Sequence, residues 1–119
     1  MKPSSAKAKG RSLQQFISKV LVRVIKTLES DDAVSRPMGS GGVDIMMSPL
    51  AQKEFPVSIE SKNTKAFPGL KALEQAQYNK YKDTLAAVVW KPFGKGYEDS
   101  IIYMNFVQFV EWHERRKNE

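Results

Sequence analysis

Apolar side chains recur at Leu13, Phe16, Ile17, Val20, Leu21, Val24, Ile25 and Leu28, and these spacings draw a single stripe down one face of a helix with polar residues opposite. Residues 29–32 end it, and residues 33–38 are expected to run as a short extended piece into Gly39-Ser-Gly-Gly42. Val43-Asp-Ile-Met-Met47 has strand composition with one acid, Asp44, embedded in it, and residues 48–55 read as a connection. From Pro56 to Lys62 the pattern switches to period two. Val57, Ile59 and Ser61 then share one face of a strand, and Ser58, Glu60 and Lys62 the other. A second helix is expected from Gly69 to about Lys82 through Leu70, Leu73, Ala76, Gln77 and Tyr81. Leu85–Trp90 reads as a strand covered on both faces, Ser100–Met104 as a further strand, and Phe106 to about Arg116 as a last helix built on Phe106, Val107, Phe109, Val110 and Trp112. The predicted order is α-β-β-β-α-β-β-α, an α/β fold with a small mixed β-sheet flanked by helices.

A chain of 119 residues with 41% hydrophobic content has room for one core, so residues 11–119 are expected to form a single domain behind a flexible basic arm, residues 1–10. Charge supports that division. Seven basic residues (Lys2, Lys7, Lys9, Arg11, Lys19, Arg23 and Lys26) and no acidic one precede Glu29, whereas the remainder is close to neutral. A cationic start on a near-neutral body suits a binder of phosphate backbones, because each neutralised phosphate releases counterions. The alternative is a solubilising tail. The absence of Cys excludes disulfides, Cys-ligated zinc and thiol catalysis. With His113 as the only histidine, a His-rich metal centre is excluded too, and His113 is expected on the surface. No run approaches the length of a membrane span. The expected setting is a reducing, cytoplasmic one.

The remaining chemistry falls to carboxylates, lysines, tyrosines and hydroxyls. Asp44, Glu60 and Lys62 stand out. Adjacent strands of one sheet can bring Asp44 and Glu60 within a few ångströms, and two such carboxylates bind a hard divalent cation, Mg²⁺ or Mn²⁺. Lys62, on the strand face of Glu60, can activate a water or stabilise charge on a phosphate. The bland alternative is a solvated strand face carrying an ordinary Glu–Lys pair, but an unpaired acid between Val43 and Ile45 would be expensive to bury for no purpose. Gly39, Gly41 and Gly42 lack the following Gly-Lys-Ser/Thr of a phosphate loop, so no nucleotide cofactor is expected. They allow close approach to a DNA strand, with Ser40 and Arg36 as phosphate contacts.

An Asp at the start of a strand, fifteen intervening residues and Glu-x-Lys on the next strand resemble the core of the PD-(D/E)xK nuclease superfamily. Lys9-Gly10-Arg11 opening a helix that carries Gln14, the segment from Ser35 to Asp44, and Ile59-Glu-Ser-Lys-Asn63 together resemble the small Holliday-junction resolvases of archaea and phages. The likeness runs over roughly residues 7–90. Val43 stands where the superfamily name has Pro, and Gln14 stands where these resolvases commonly have a Glu that completes the metal site. The resemblance implies a restriction-endonuclease-like fold and a Mg²⁺-dependent homodimer that resolves branched DNA by phosphodiester hydrolysis, in a host cytoplasm if phage-encoded. Asp44, Glu60, Lys62 and Gln14 would carry catalysis, with Asp44 and Glu60 holding the metal. Lys7, Lys9, Arg11, Arg36, Ser40, Gln75 and Gln77 would contact DNA, and Gln77-x-x-x-Tyr81 resembles a helix motif of part of the superfamily. Two alternatives stay open: a related repair or recombination nuclease that cuts flaps, ends or mismatches, and a DNA-binding protein without catalysis. Trp90, Trp112 and the Phe106 stripe are expected in the core.

Overall fold

The stripe beginning at Leu13 forms helix α1, Pro3–Val24, in a computed structural model that describes residues 3–117. Leu13, Ile17 and Leu21 are buried, one per turn. The helix starts earlier than expected, so residues 3–10 are its first two turns rather than a flexible arm. The local reason is Pro3, which is free of penalty in a first turn where its missing N–H would have no partner. Ala6, Lys7, Ala8 and Lys9 follow it as good helix formers. A tertiary bond anchors this part of α1, with Asn63 Nδ2 donating to Lys9 O at 3.1 Å. Lys2, counted in the basic arm, lies outside the described residues.

Strands β1 (Ala33–Ser35) and β2 (Ile45–Met47) pair antiparallel, with Ala33 opposite Met47 and Ser35 opposite Ile45. The expected connection over residues 48–55 holds a short helix, α2 (Pro49–Glu54), whose first turn is capped by Ser48 Oγ accepting from Ala51 N at 3.1 Å. Ser-Pro is an N-cap followed by a favoured first residue. Strand β3 (Val57–Thr64) runs parallel to β4 (Leu85–Pro92) through helix α3 (Gly69–Asn79), the kind of crossover that parallel strands require. A single 3₁₀ turn, Tyr97–Asp99, precedes β5 (Ile101–Tyr103), which lies antiparallel on β4, and helix α4 (Phe106–Lys117) ends the described chain.

The strands therefore make two sheets, β1-β2 and the mixed β3-β4-β5, in place of the single mixed sheet expected. Hydrogen bonding explains the break. Asp44 N donates to Ile59 O at 3.3 Å, but the next β3 donor, Ser61 N, is taken at 2.7 Å by the Asp44 carboxylate instead of by a strand carbonyl.

On β3 the period-two pattern holds. Val57 and Ile59 join Leu13, Ile17, Ile45 and Ala87 in the main core, while α3 buries Ala72 and Ala76 against Ala86 and Val88 on the other side. Covered by helices on both faces, β4 is buried from Leu85 to Val88. Several core expectations fail. Helix α1 ends at Val24, short of Leu28, and leaves Val24 61% exposed, and Trp90 is half-buried outside both core clusters. Leu70 is 76% exposed, because alanines allow α3 to lie close to the sheet and leave Leu70 beyond the contact. On α4, Phe106, Val107, Phe109 and Val110 are exposed, and only Trp112 packs against the core. That helix sits at the sheet edge: Gln108 Oε1 takes Ala86 N at 3.3 Å, a β4 donor that the three-residue β5 is too short to reach. Among the described residues no helix is long and apolar enough to cross a membrane.

Candidate functional site

Asp44 enters from the loop before β2, and Glu60, Ser61 and Lys62 lie at the middle of β3. Asp44 Oδ2 accepts from Ser61 N at 2.7 Å and from Ser61 Oγ at 3.2 Å. Ser61, the variable position of the Glu-x-Lys motif, thus orients the first acid with both of its donors. Sequence reasoning missed this role, and the only signal was a hydroxyl residue whose strand face is that of the core.

Glu60 is buried, 4% exposed, and its Oε1 has no hydrogen-bond partner among the described residues. Its Oε2 lies 3.7 Å from Lys62 Nζ. Burial, and then the neighbouring Asp44 charge, push the Glu60 carboxyl up to about 7; Lys62 opposes them and loses. Lys62 reaches out of the strand, half-exposed, and donates from Nζ to Gln75 Oε1 on α3 at 3.2 Å. Glu60, Lys62 and Gln75 are thereby joined in one chain of contacts, with Asp44 held beside it on Ser61, the residue between Glu60 and Lys62.

A buried carboxylate with an unpartnered oxygen, beside a second carboxylate held by two donors, fits a hard divalent cation. Its charge would offset both the desolvation and the repulsion that raise Glu60. Among the described residues no three His, Asp or Glu side chains cluster as a metal-holding group, so oxygens beyond Asp44 and Glu60 would come from amides, water or a phosphate. Gln14 is a candidate by type. It is buried on α1, which packs on β3, and its Oε1 also lacks a partner among the described residues.

The other predicted contacts separate. Lys7, Lys9 and Arg11 are exposed on the first turns of α1, where Lys9 Nζ sits 4.1 Å from the centroid of the Phe93 ring. Arg36 is turned inward: its guanidinium packs over Gly42, where a Cβ would lie 2.9 Å from Cζ, and its Nε donates to Val43 O. Together with Arg36 N donating to Asp44 O at 2.8 Å, this clamps the glycine loop just ahead of the acid. The conformation needs glycine at Gly42, where φ is +104°. Ser40 is exposed at the tip, with its hydroxyl donated to Pro37 O at 2.8 Å. Gln77 is half-buried on α3, and at two residues from Gln75 it lies on a different face of that helix. Tyr81, its motif partner, is structural: Oη accepts Met47 N at 3.1 Å and ties β2 to the end of α3.

No family model, curated protein or solved structure matches the sequence.

Proposed function

We propose that the protein is a divalent-metal-dependent endonuclease of the PD-(D/E)xK type that cuts branched DNA such as four-way junctions. The observation that carries the reading is the buried Glu60 beside the half-buried Asp44, with Lys62 next to it: burial and the Asp44 charge both disfavour the Glu60 carboxylate, and a bound cation would relieve both. A bound Mg²⁺ would neutralise the two carboxylates and supply Lewis-acid charge at the scissile phosphate. Ser61 holds the Asp44 carboxylate in place for that ion, and Glu60 offers the oxygen that nothing else takes. Lys62, poised between Glu60 and Gln75, aims a positive charge at the oxygens where negative charge grows as water attacks in line.

The test is a nicking assay on a four-way junction, a flap and a linear duplex, in Mg²⁺, in Mn²⁺ and in EDTA. Junction nicking in either metal alone supports the reading. Cleavage confined to flaps or ends points to a related repair nuclease, and binding without cleavage in both metals leaves a DNA-binding protein.

Residues on two other surfaces carry separate expectations. Lys7 and Arg11 stand one turn apart on exposed α1. If both meet phosphates, the double variant Lys7→Ala, Arg11→Ala flattens the log-affinity against log-salt slope by roughly 2 units, at about 0.9 per contact. Fluorescence anisotropy on a labelled junction between low and moderate salt reads this directly. Two symmetric nicks also call for a two-fold homodimer. The outer face of α4, with Phe106 (76% exposed), Val107 (61%) and Val110 alongside Glu111, Glu114 and Arg115, offers apolar surface with charges of both signs at its margin. Sedimentation should give the mass of two chains for the wild type and one 13.5 kDa chain for Val107→Asp.

A further inference from the structure

Between β3 and α3 the chain turns through Lys65, Ala66, Phe67 and Pro68, and neighbouring strands hold this turn at both ends. Trp90 Nε1, on β4, donates to Thr64 O at 3.1 Å, and Tyr103 Oη, on β5, donates to Gly69 O at 2.9 Å. Within the turn Thr64 Oγ1 donates to Ala66 O at 2.8 Å. Phe67 rests edge-on against Trp90, with ring centroids 5.2 Å apart and planes at 63°, and tilted on Tyr103 at 4.9 Å. Its own ring is nonetheless 59% exposed. A phenylalanine at an exposed turn leaves apolar surface in water, yet here two aromatic residues from different strands direct their polar groups to the turn that carries it. The ring is pre-positioned, so little side-chain freedom would remain to be lost when something stacks on it.

Beside it is an open hollow of about 340 Å³ whose lining includes Lys62, Thr64, Phe67, Lys71 and Gln75 and contains no carboxylate residue. Lys71 and Gln75 are four residues apart on α3, hence on one helix face, and Gln75 already holds Lys62. An aromatic ring, two cations and an amide around one hollow match the parts of a nucleotide: a base with a π-face, a phosphate and hydrogen-bonding edges.

We propose that this hollow is a subsite for one nucleotide of the strand being cut, the nucleotide next to the phosphate at Asp44, Glu60 and Lys62, with its unstacked base on Phe67 and its phosphate on Lys71. The ligand's identity rests on the nuclease reading. The subsite also supplies a reason for selecting branched DNA: a base can lie on Phe67 only after leaving its own stack, which costs least where the duplex is interrupted.

The test is anisotropy in EDTA with two labelled single strands, one of twelve thymidines and one of the same length made of abasic sites. Phe67→Leu keeps an apolar contact with Trp90 and Tyr103 but removes the ring. It should weaken the thymidine strand by about 5–150-fold, the usual range for one lost stack, and leave the abasic strand unchanged. Phe67→Trp should restore the difference between the strands. Lys71→Ala should weaken both strands alike and flatten the salt slope by about 0.7. An equal loss on both strands, or no loss on either, with Phe67→Leu overturns the subsite, as does failure of Phe67→Trp to restore the difference. No cleavage enters these measurements. A wild type that discriminates between the strands but never nicks DNA in Mg²⁺ or Mn²⁺ refutes the nuclease reading alone, and one that nicks but shows no base-dependent loss refutes the subsite alone.

Discussion

Asp44→Asn and Glu60→Gln are each expected to lower Mg²⁺-dependent junction nicking by about 10³-fold or more, with junction binding in EDTA retained. The asparagine keeps an oxygen that can accept from Ser61 N, so the loop between β1 and β2 holds its course and only the charge is lost. At Glu60 the substitution removes a buried charge that burial already disfavours, so the fold should gain rather than lose stability. Both variants therefore separate metal chemistry from folding, which alanine at either position would not. Lys62→Ala should cost about 10²–10³-fold, the usual worth of one positioned charge or donor at a developing anion. It also releases Gln75, so Lys62→Arg is the useful companion: a slow but active arginine variant would mark the charge as the essential feature. Wild-type nicking rates in Mg²⁺ for either acid variant, with far-ultraviolet dichroism unchanged, would remove Asp44 and Glu60 from the reaction.

The elevated Glu60 carboxyl makes a second large effect measurable. In the unfolded chain this group titrates near 4.5, and in the fold near 7. Between those values the native state keeps a proton that the unfolded state has released. Without a divalent cation, stability attributable to Glu60 therefore falls as pH rises through this window, and Glu60→Gln should remove that component. Cation binding has the opposite slope, because the ion requires the carboxylate and expels the proton. Well below about 7 the apparent affinity for Mg²⁺ should drop close to tenfold per pH unit, so nicking at sub-saturating Mg²⁺ should fall about fiftyfold from pH 7 to pH 5. Thermal melts make the check independent of activity: Mg²⁺ should raise the melting temperature clearly at pH 8 and barely at pH 5. Equal shifts at the two pH values, or none at either, would mean that Glu60 does not hold the ion.

Different physical causes separate what was legible in the chain from what was not. The Leu13, Ile17 and Leu21 stripe and the alternation of Val57, Ile59 and Glu60 follow from backbone periodicity alone, and both appear at the expected positions. Ser-Pro at 48–49 was a readable helix start that the short length of α2 obscured. The apolar face of α4 was legible as a helix face, but the same pattern serves a core and an interface, and only the placement of α4 at the edge of β4 distinguishes them. The inward turn of Arg36 depends on the course of the glycine loop, which no local pattern specifies.

By itself the sequence determined the main elements and part of their layout: the helical stripe from Leu13, the helices from Gly69 and Phe106, which face of β3 carries Glu60 and Lys62, and that an acid lies ahead of β2. These follow from short-range sterics and from the two spacings of regular backbone. Only the tertiary structure decided how the elements combine. Asp44 ends one sheet by taking a donor from β3, Ser61 orients it, burial of Glu60 beside Asp44 lifts its carboxyl into the neutral range, and Trp90 and Tyr103 hold the turn that carries Phe67. Each of these depends on groups 16 to 34 residues apart in the chain, whose distance, burial and mutual charge exist only once the core has closed.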